Sequence, residues 1–305
     1  MVNYDCDDKN GTFFSNDRAD WRLNALKSRC LKAIMSTLPV PTRLLEPLIR
    51  VGRIKLGPLS SPKVRLERAG RFKIVIDDPS DHVQTYLHFQ GHFERRETEI
   101  VRTTLQDGDV FVDIGANVGW FTMVAAETVG TRGRVISFEP FPGSFERLRR
   151  NIDVNGFDTV TAIPCALSDR DGKVPFFANT ANSGRNSMFQ DPDQVRVSEI
   201  EMRRGQDVLA QLDVEHINFC KIDVEGAELQ VLRGLDRHLK DGRIDHILIE
   251  MNPEKLEQAG GSIDALFTLL RDSGFDIYDV ANPQVALKNA PSKFFNAFCI
   301  HSKSG

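Results

Sequence analysis

Through the middle of the chain, short apolar runs alternate with stretches of helical period. The runs fall at 110–114, 134–139, 159–163, 217–223 and 246–251, and the helical stretches near 118–128, 143–154, 226–239 and 262–273. Runs that short and apolar suit strands buried on both faces. Their alternation with helices predicts a parallel sheet covered on both sides. Two further runs, "FDIYDV" (275–280) and "FFNAFCIHS" (294–302), have no helix of usable length between them. They are expected to form an antiparallel pair at the sheet edge. The predicted fold class is α/β, a doubly wound, mostly parallel seven-stranded sheet with an antiparallel last strand.

Upstream the pattern changes. "ERRETEIVRTTL" (94–105) has helical periodicity, and "KVRLERAGRFKIVID" (63–77) alternates about Ala69-Gly70 as a hairpin does. In residues 21–56, apolar positions recur at helical spacing and break at Pro39 and Pro41, predicting two short amphipathic helices. That segment holds eight Lys or Arg residues against the single acid Glu46. Packing on the main domain is its expected role, and peripheral contact with anionic lipid is the alternative. Residues 1–20 are rich in Asp and Asn and read as a mobile tail. The expected organisation is thus a tail (1–20), a basic helical and hairpin extension (21–93) and a ligand-binding domain (94–305).

Composition narrows the class. With 41% hydrophobic and 27% charged residues the chain can bury an ordinary core, and its net charge of −4 gives no bias toward nucleic acid. The five cysteines (Cys6, Cys30, Cys165, Cys220, Cys299) contain no C-x-x-C pair, so neither a disulfide framework nor a zinc site is expected. The N-terminus lacks an apolar signal region, and no run approaches the ~18 apolar residues of a membrane span. A soluble protein of the reducing cytoplasm is expected, with the basic segment as its one candidate for membrane contact.

The chemistry concentrates in "VFVDIGANVGWFT" (110–122), an apolar run that ends in a carboxylate and a glycine turn before a helical pattern. Gly115 and Gly119 leave room for backbone to approach a ligand, and the amides beginning the next helix can face it. Twenty residues beyond Gly119, the next strand ends on Glu139, where doubly wound folds place an acid against ribose hydroxyls. The dinucleotide fingerprint G-x-G-x-x-G has glycine where this chain has Asp113. At ~4 Å, like charges repel by about 4 kcal/mol at an effective dielectric near 20, so a pyrophosphate would meet Asp113 badly. S-adenosylmethionine has no phosphate, and its ammonium and sulfonium would be attracted to that carboxylate. A nucleotide-dependent oxidoreductase is therefore disfavoured.

These segments, with "VISFEP", "ALSD" (166–169) and "KIDVEGAELQVLRG" (221–234) in that order, resemble the FkbM family of S-adenosylmethionine-dependent methyltransferases. The resemblance runs from about residue 91 to 252. It implies a Rossmann-like, class I methyltransferase sheet and methylation of hydroxyls, often on sugars or natural products. It also implies that Asp113, Gly115, Asn117 and Gly119 line the methionine part, that Glu139 holds the ribose, and that the segment around Ala166 and Ser168 borders the adenine, with Phe141 flanking the purine or packing in the core. The fit of "NSGRNSM" (182–188) to the family is loose.

Acids gather at the strand ends where such folds bind ligands: Asp223, Glu225 and Glu250, with Glu228 close behind. Asp223 is the first candidate for the base that takes the acceptor proton and also a neighbour of the cofactor. Glu225 and Glu250 are alternative bases or holders of hydroxyls. The competing reading makes Asp223 a helix cap and Glu225 a partner of the helix dipole. Oxygens so clustered also suit a divalent cation, although no metal motif is present. His88 and His92 are four apart, but the intervening "FQG" argues against a regular helix and a metal pair. A non-catalytic scaffold at a membrane surface would be expected to lose Glu139 or the strand-end acids, and all are present. The expected acceptor is a small molecule or glycan.

Overall fold

The computed structural model describes residues 63–66, 72–78, 81–179, 182–191 and 194–303. The expected tail, the two basic helices, the Ala69-Gly70 turn, Cys6 and Cys30 lie outside the described residues.

Two strands, β1 (Lys63–Leu66) and β2 (Lys73–Ile76), pair antiparallel, as the alternating pattern predicts. Two helices follow, α1 (His82–Gln90) and α2 (Arg95–Thr104). The main sheet starts with β3 (Val110–Ile114), α3 (Trp120–Val129), β4 (Arg134–Phe138), α4 (Pro142–Asn155) and β5 (Val160–Ile163). A small sheet then intervenes, made of β6 (Ala166–Ser168), β7 (Gly172–Ala178) and β8 (Val195–Arg204), with β8 central. The chain returns through α5 (Gly205–Gln211), β9 (Ile217–Ile222), α6 (Glu228–Gly234), α7 (Asp236–Lys240) and β10 (Ile244–Met251). It finishes with α8 (Pro253–Gln258), α9 (Ile263–Asp272), β11 (Phe275–Asp279) and β12 (Phe295–His301).

The large sheet has seven strands in the order β11-β12-β10-β9-β3-β4-β5. The pairs β3–β4, β4–β5, β3–β9 and β9–β10 are parallel, while β12 is antiparallel to both β10 and β11. The last two strands thus form the expected antiparallel pair at one edge of the sheet. β12 inserts beside β10, β11 takes the edge, and only β12 runs against the rest. A direct β11–β12 loop allows this, because β12 can return antiparallel without a crossover helix.

Alternation along β3 divides the core. Phe111 packs with Phe72, Ile74, Met123 and Phe219, whereas Val112 and Ile114 pack with Ile222, Leu229, Leu266 and Leu270 on the opposite face. Both faces are covered, which is why the central strands are uniformly apolar. β2 is built into the first of these cores, and its Val75 amide donates to Asn151 Oδ1 at 2.8 Å. The helix expected at 226–239 is broken at Leu235. Gly234 passes so close to β6 that an added Cβ would lie 1.9 Å from the Ser168 carbonyl oxygen. Cys165, Cys220 and Cys299 are free and buried. Among the described residues, no helix is long and apolar enough to cross a membrane.

Candidate active site

Chain order reverses between β3 and β9. From β3 the chain moves outward to β4 and β5, then comes back to β9 on the other side. Such a switch point opens a crevice at the carboxyl ends of the strands. Here it holds a cavity of ≈ 280 Å³. Asp113, Gly115, Asn117, Glu139, Ala166, Asp223, Glu225 and Glu250 all line it, so the structure brings together most of the residues singled out in the sequence.

The glycine turn also packs tightly within the protein. Gly115 has φ +85°, and a Cβ there would lie 1.9 Å from the Asp223 carbonyl oxygen. At Gly119, with φ +90°, an added Cβ would lie 2.5 Å from Leu148 Cδ1. Both positions serve close approach within the protein. Nor are the turn's amides generally free for a ligand. Gly115 and Ala116 donate to the Phe138 carbonyl, Gly119 donates to the Ala116 carbonyl, and the Asn117 amide is held by Glu139. A turn with its donors spent this way is a poor cradle for an anion.

Glu139 is buried. Its Oε2 accepts from the Asn117 amide and its Oε1 from the Phe141 amide, each at 2.8 Å. Burial raises its pKa to about 7 against the pull of those two bonds. The residue therefore latches the glycine turn to the end of β4, and each oxygen keeps a second lone pair. Asp113 is 1% exposed. Its Oδ2 accepts from Thr122 Oγ1 at 2.6 Å, while Oδ1 is buried without a hydrogen-bond partner among the described residues. Burial shifts its pKa upward. An orphaned buried oxygen in a residue that lines the cavity calls for a donor or a cation.

The expected residues Phe141 and Ser168 do not line the cavity. Phe141 stacks on Phe176 with centroids 5.8 Å apart, and it is Phe176 that lines the cavity. Ser168 is buried against Asp169 and Gly234, leaving Ala166 and Leu167 as the lining residues of that strand. The loosely matched segment contributes Asn182, Arg185 and Met188 to the wall. A bond from Ser187 Oγ to the Glu225 carbonyl at 2.8 Å pins it there.

The catalytic candidates meet. Carboxylate oxygens of Asp223, Glu225 and Glu250 all lie within 4.8 Å of one another. Asp223 follows β9 directly and extends the ladder, its amide donating to the Ile114 carbonyl at 3.0 Å. It is not a helix cap. α6 begins at Glu228 with no side-chain cap, and Glu228 itself reaches back to accept from the Gly226 and Val224 amides. Asp223 Oδ2 instead accepts from Lys221 Nζ at 2.8 Å, and that ammonium lies 4.6 Å from the Phe121 ring centroid. Burial opposes the charge on Lys221, but Asp223, Glu94 and Asp113 together hold its pKa up. Burial, with Asp223 adding to it, pushes Glu225 up to about 8 and Glu250 well above the usual carboxylate range.

Lys221 and Glu94 escaped the sequence reading. Lys221 stood inside a quoted motif as an apparent interruption of an apolar strand, the one signal available. His88 lies on α1 and His92 beyond its Gly91 cap, where it packs on Tyr86, and neither joins the carboxylates.

Comparison with known proteins agrees with this architecture. The family model for the methyltransferase FkbM domain matches residues 113–277, over half the chain. The chain is 26% identical over 190 residues to Methyltransferase 1 of Beauveria bassiana, covering 56% of this chain and 74% of that protein. It is 28% identical over 212 residues to the 31-O-demethyl-FK506 methyltransferase FkbM of Streptomyces tacrolimicus, covering 60% and 78%. With the hexuronic acid methyltransferase AglP of Haloferax volcanii it shares 27% over 161 residues, covering 52% and 63%. The chain belongs to the FkbM family of class I methyltransferases.

Proposed function

We propose that this methyltransferase uses S-adenosylmethionine to methylate a hydroxyl group on a sugar or natural-product acceptor. The observation that carries the reading is the meeting of Asp223, Glu225 and Glu250 in the same cavity as the unpartnered oxygen of Asp113. The cavity is rich in carboxyl groups and its glycine turn has few amides to spare, so it suits a cationic nucleoside better than a pyrophosphate. The residues fit S-adenosylmethionine: Asp113 would face its cationic end, Glu139 its ribose, and Ala166, Leu167 and Phe176 its purine. When bound, it supplies a methyl group already activated by the sulfonium.

The chain's own work is alignment and proton transfer. An aliphatic hydroxyl barely ionises at neutral pH, so a positioned acceptor of its proton contributes about 10²–10⁴-fold. Asp223 is that acceptor, oriented by Lys221. Glu225 and Glu250 retain their protons near neutral pH because they are buried, and so donate hydrogen bonds to oxygens of the acceptor. A polyhydroxylated molecule is the natural occupant of such a mixed set. Relatives named for a hexuronic acid and for a demethyl-FK506 substrate support the same class. Mass spectrometry of glycans and lipids from a deletion strain tests the reading. Loss of one CH₂ per acceptor supports it, and an unchanged set of masses argues against it.

A second reading has its own observation. The three carboxylates are spaced as ligands of a divalent cation would be. In that case the acids would be ionised by the cation, and activity would be lost to a chelator and restored by magnesium.

A further inference from the structure

Glu94 lies outside the family-matched span, yet it lines the cavity. Its backbone has φ 41° and ψ 68°, a left-handed conformation that long side chains rarely adopt. A chain of hydrogen bonds holds it there. The Thr98 amide donates to the Glu94 carbonyl at 2.8 Å, Thr98 Oγ1 donates to the Phe93 carbonyl at 2.8 Å, and Trp120 Nε1 donates to Thr98 Oγ1 at 2.9 Å. Trp120 directly follows Gly119, so the placement of Glu94 is tied to the glycine turn. Strain maintained in this way at a cavity wall marks a side chain needed in one position.

The charges acting on the Glu94 carboxyl are those of Lys221, Asp223, Glu97 and Asp113. Lys221 is the one cation among them, and its hydrogen bond goes to Asp223. Glu97 accepts from Asn296 Nδ2 at 2.7 Å. Asp113, nearly inaccessible, keeps Oδ1 without a partner among the described residues. Both residues line the cavity, each carboxyl feels the other acids around it, and Lys221 is the cation that acts on both. An ammonium would add positive charge and three N–H donors to share.

We propose that Glu94 and Asp113 together hold the α-ammonium of S-adenosylmethionine. This rests on the cofactor reading given above and adds a residue that the family span does not contain. Asp113 approaches from the end of β3 and Glu94 from the start of α2, so the ammonium is held between two elements. The amino-acid end of the ligand, rather than its adenosine, is what Glu94 recognises.

Calorimetry on the full chain with two ligands tests the assignment. S-adenosylhomocysteine carries the ammonium, and 5′-methylthioadenosine shares the thioether nucleoside but lacks the amino-acid portion. Glu94→Gln should weaken S-adenosylhomocysteine roughly tenfold to a hundredfold, the usual range for a charge-assisted hydrogen bond, and leave 5′-methylthioadenosine within about twofold. Retained 5′-methylthioadenosine binding also certifies that the variant is folded. Unchanged S-adenosylhomocysteine affinity in Glu94→Gln overturns the proposal, as does an equal loss of both ligands. Failure of the wild-type protein to bind either ligand would instead remove the cofactor reading, and this proposal with it.

Discussion

Lys221 Nζ meets Asp223 Oδ2 at 2.8 Å, the lysine side chain 6% exposed and the aspartate 27%. The paired Asp223 lines the cavity and does not cap α6. The pairing places a buried cation beside the candidate base. Asp223→Asn leaves Lys221 an acceptor but removes the carboxylate it is hydrogen-bonded to, so both turnover and melting temperature should fall. Turnover should drop at least about a hundredfold. Adding Lys221→Met should restore much of the melting temperature without restoring turnover, because the buried charge deprived of that carboxylate is gone while the base is still missing. Near-normal turnover in Asp223→Asn, measured on the acceptor identified from the deletion strain, would remove the base assignment.

The glycine turn predicts a graded stability effect. At Gly115 a Cβ would collide with the backbone oxygen of Asp223 at φ +85°, and neither can yield. At Gly119 the obstacle is the far end of the Leu148 side chain. Gly115→Ala should destabilise by more than about 2 kcal/mol, and Gly119→Ala by less. Urea unfolding checks the order, and equal stability losses in the two variants would contradict it.

Glu139 bonds to the Asn117 and Phe141 amides, so it holds the turn in addition to its proposed role at the ribose. Glu139→Ala should weaken S-adenosylhomocysteine and 5′-methylthioadenosine alike, by roughly 1.5–3 kcal/mol. Equal affinities in mutant and wild type, read by calorimetry, would deny Glu139 any part in holding the nucleoside.

Much of this was legible in the residues. The strands buried on both faces announce themselves as apolar runs, and Asp113, Glu139 and Asp223 sit where those runs stop, which is where the sheet presents side chains to a ligand. The acids at 223, 225 and 250 could be listed from the sequence, but their convergence depends on β9 and β10 lying side by side. The small sheet was missed. Its strand β7 has a mixed pattern with Pro175, and β8 alternates with exposed valines at 195 and 197, so no uniform apolar run marks either one. Phe141 and Phe176 are equivalent in sequence terms, and only the fold decides which one faces the cavity. Glu94 was illegible because nothing local signals a left-handed residue before a helix. Its position comes from Thr98 and Trp120.

The buried acids set a pH dependence. Burial raises the folded-state pKa of Glu139 and Glu228 to about 7 and of Glu94 and Glu225 to about 8. An unfolded glutamate titrates near ~4.3, so from there to about 8 the folded chain holds protons that the unfolded chain has released. Stability from these groups is full below the unfolded value and declines as pH rises through the folded one. The ligand-free protein should therefore melt lower at about pH 8.5 than at about pH 7, a window above the range where His92 and His238, both lowered by burial, exchange protons. Glu225→Gln should flatten the slope. A melting temperature that rises with pH across this window would contradict the assignment.

Residues 21–56 carry eight basic side chains opposed by Glu46 alone. Contact with anionic lipid through this segment predicts co-sedimentation with acidic vesicles at low salt and release at high salt. Equal recovery with neutral and acidic vesicles would leave the segment a packing role only.

The central claim is that the carboxyl-rich cavity between β3 and β9 binds S-adenosylmethionine and not a pyrophosphate nucleotide. Isothermal titration of the wild-type chain with S-adenosylmethionine and, separately, with NAD⁺ tests it most directly. Saturable binding of S-adenosylmethionine with no heat from NAD⁺ is the predicted result. Binding of NAD⁺ without binding of S-adenosylmethionine would contradict it.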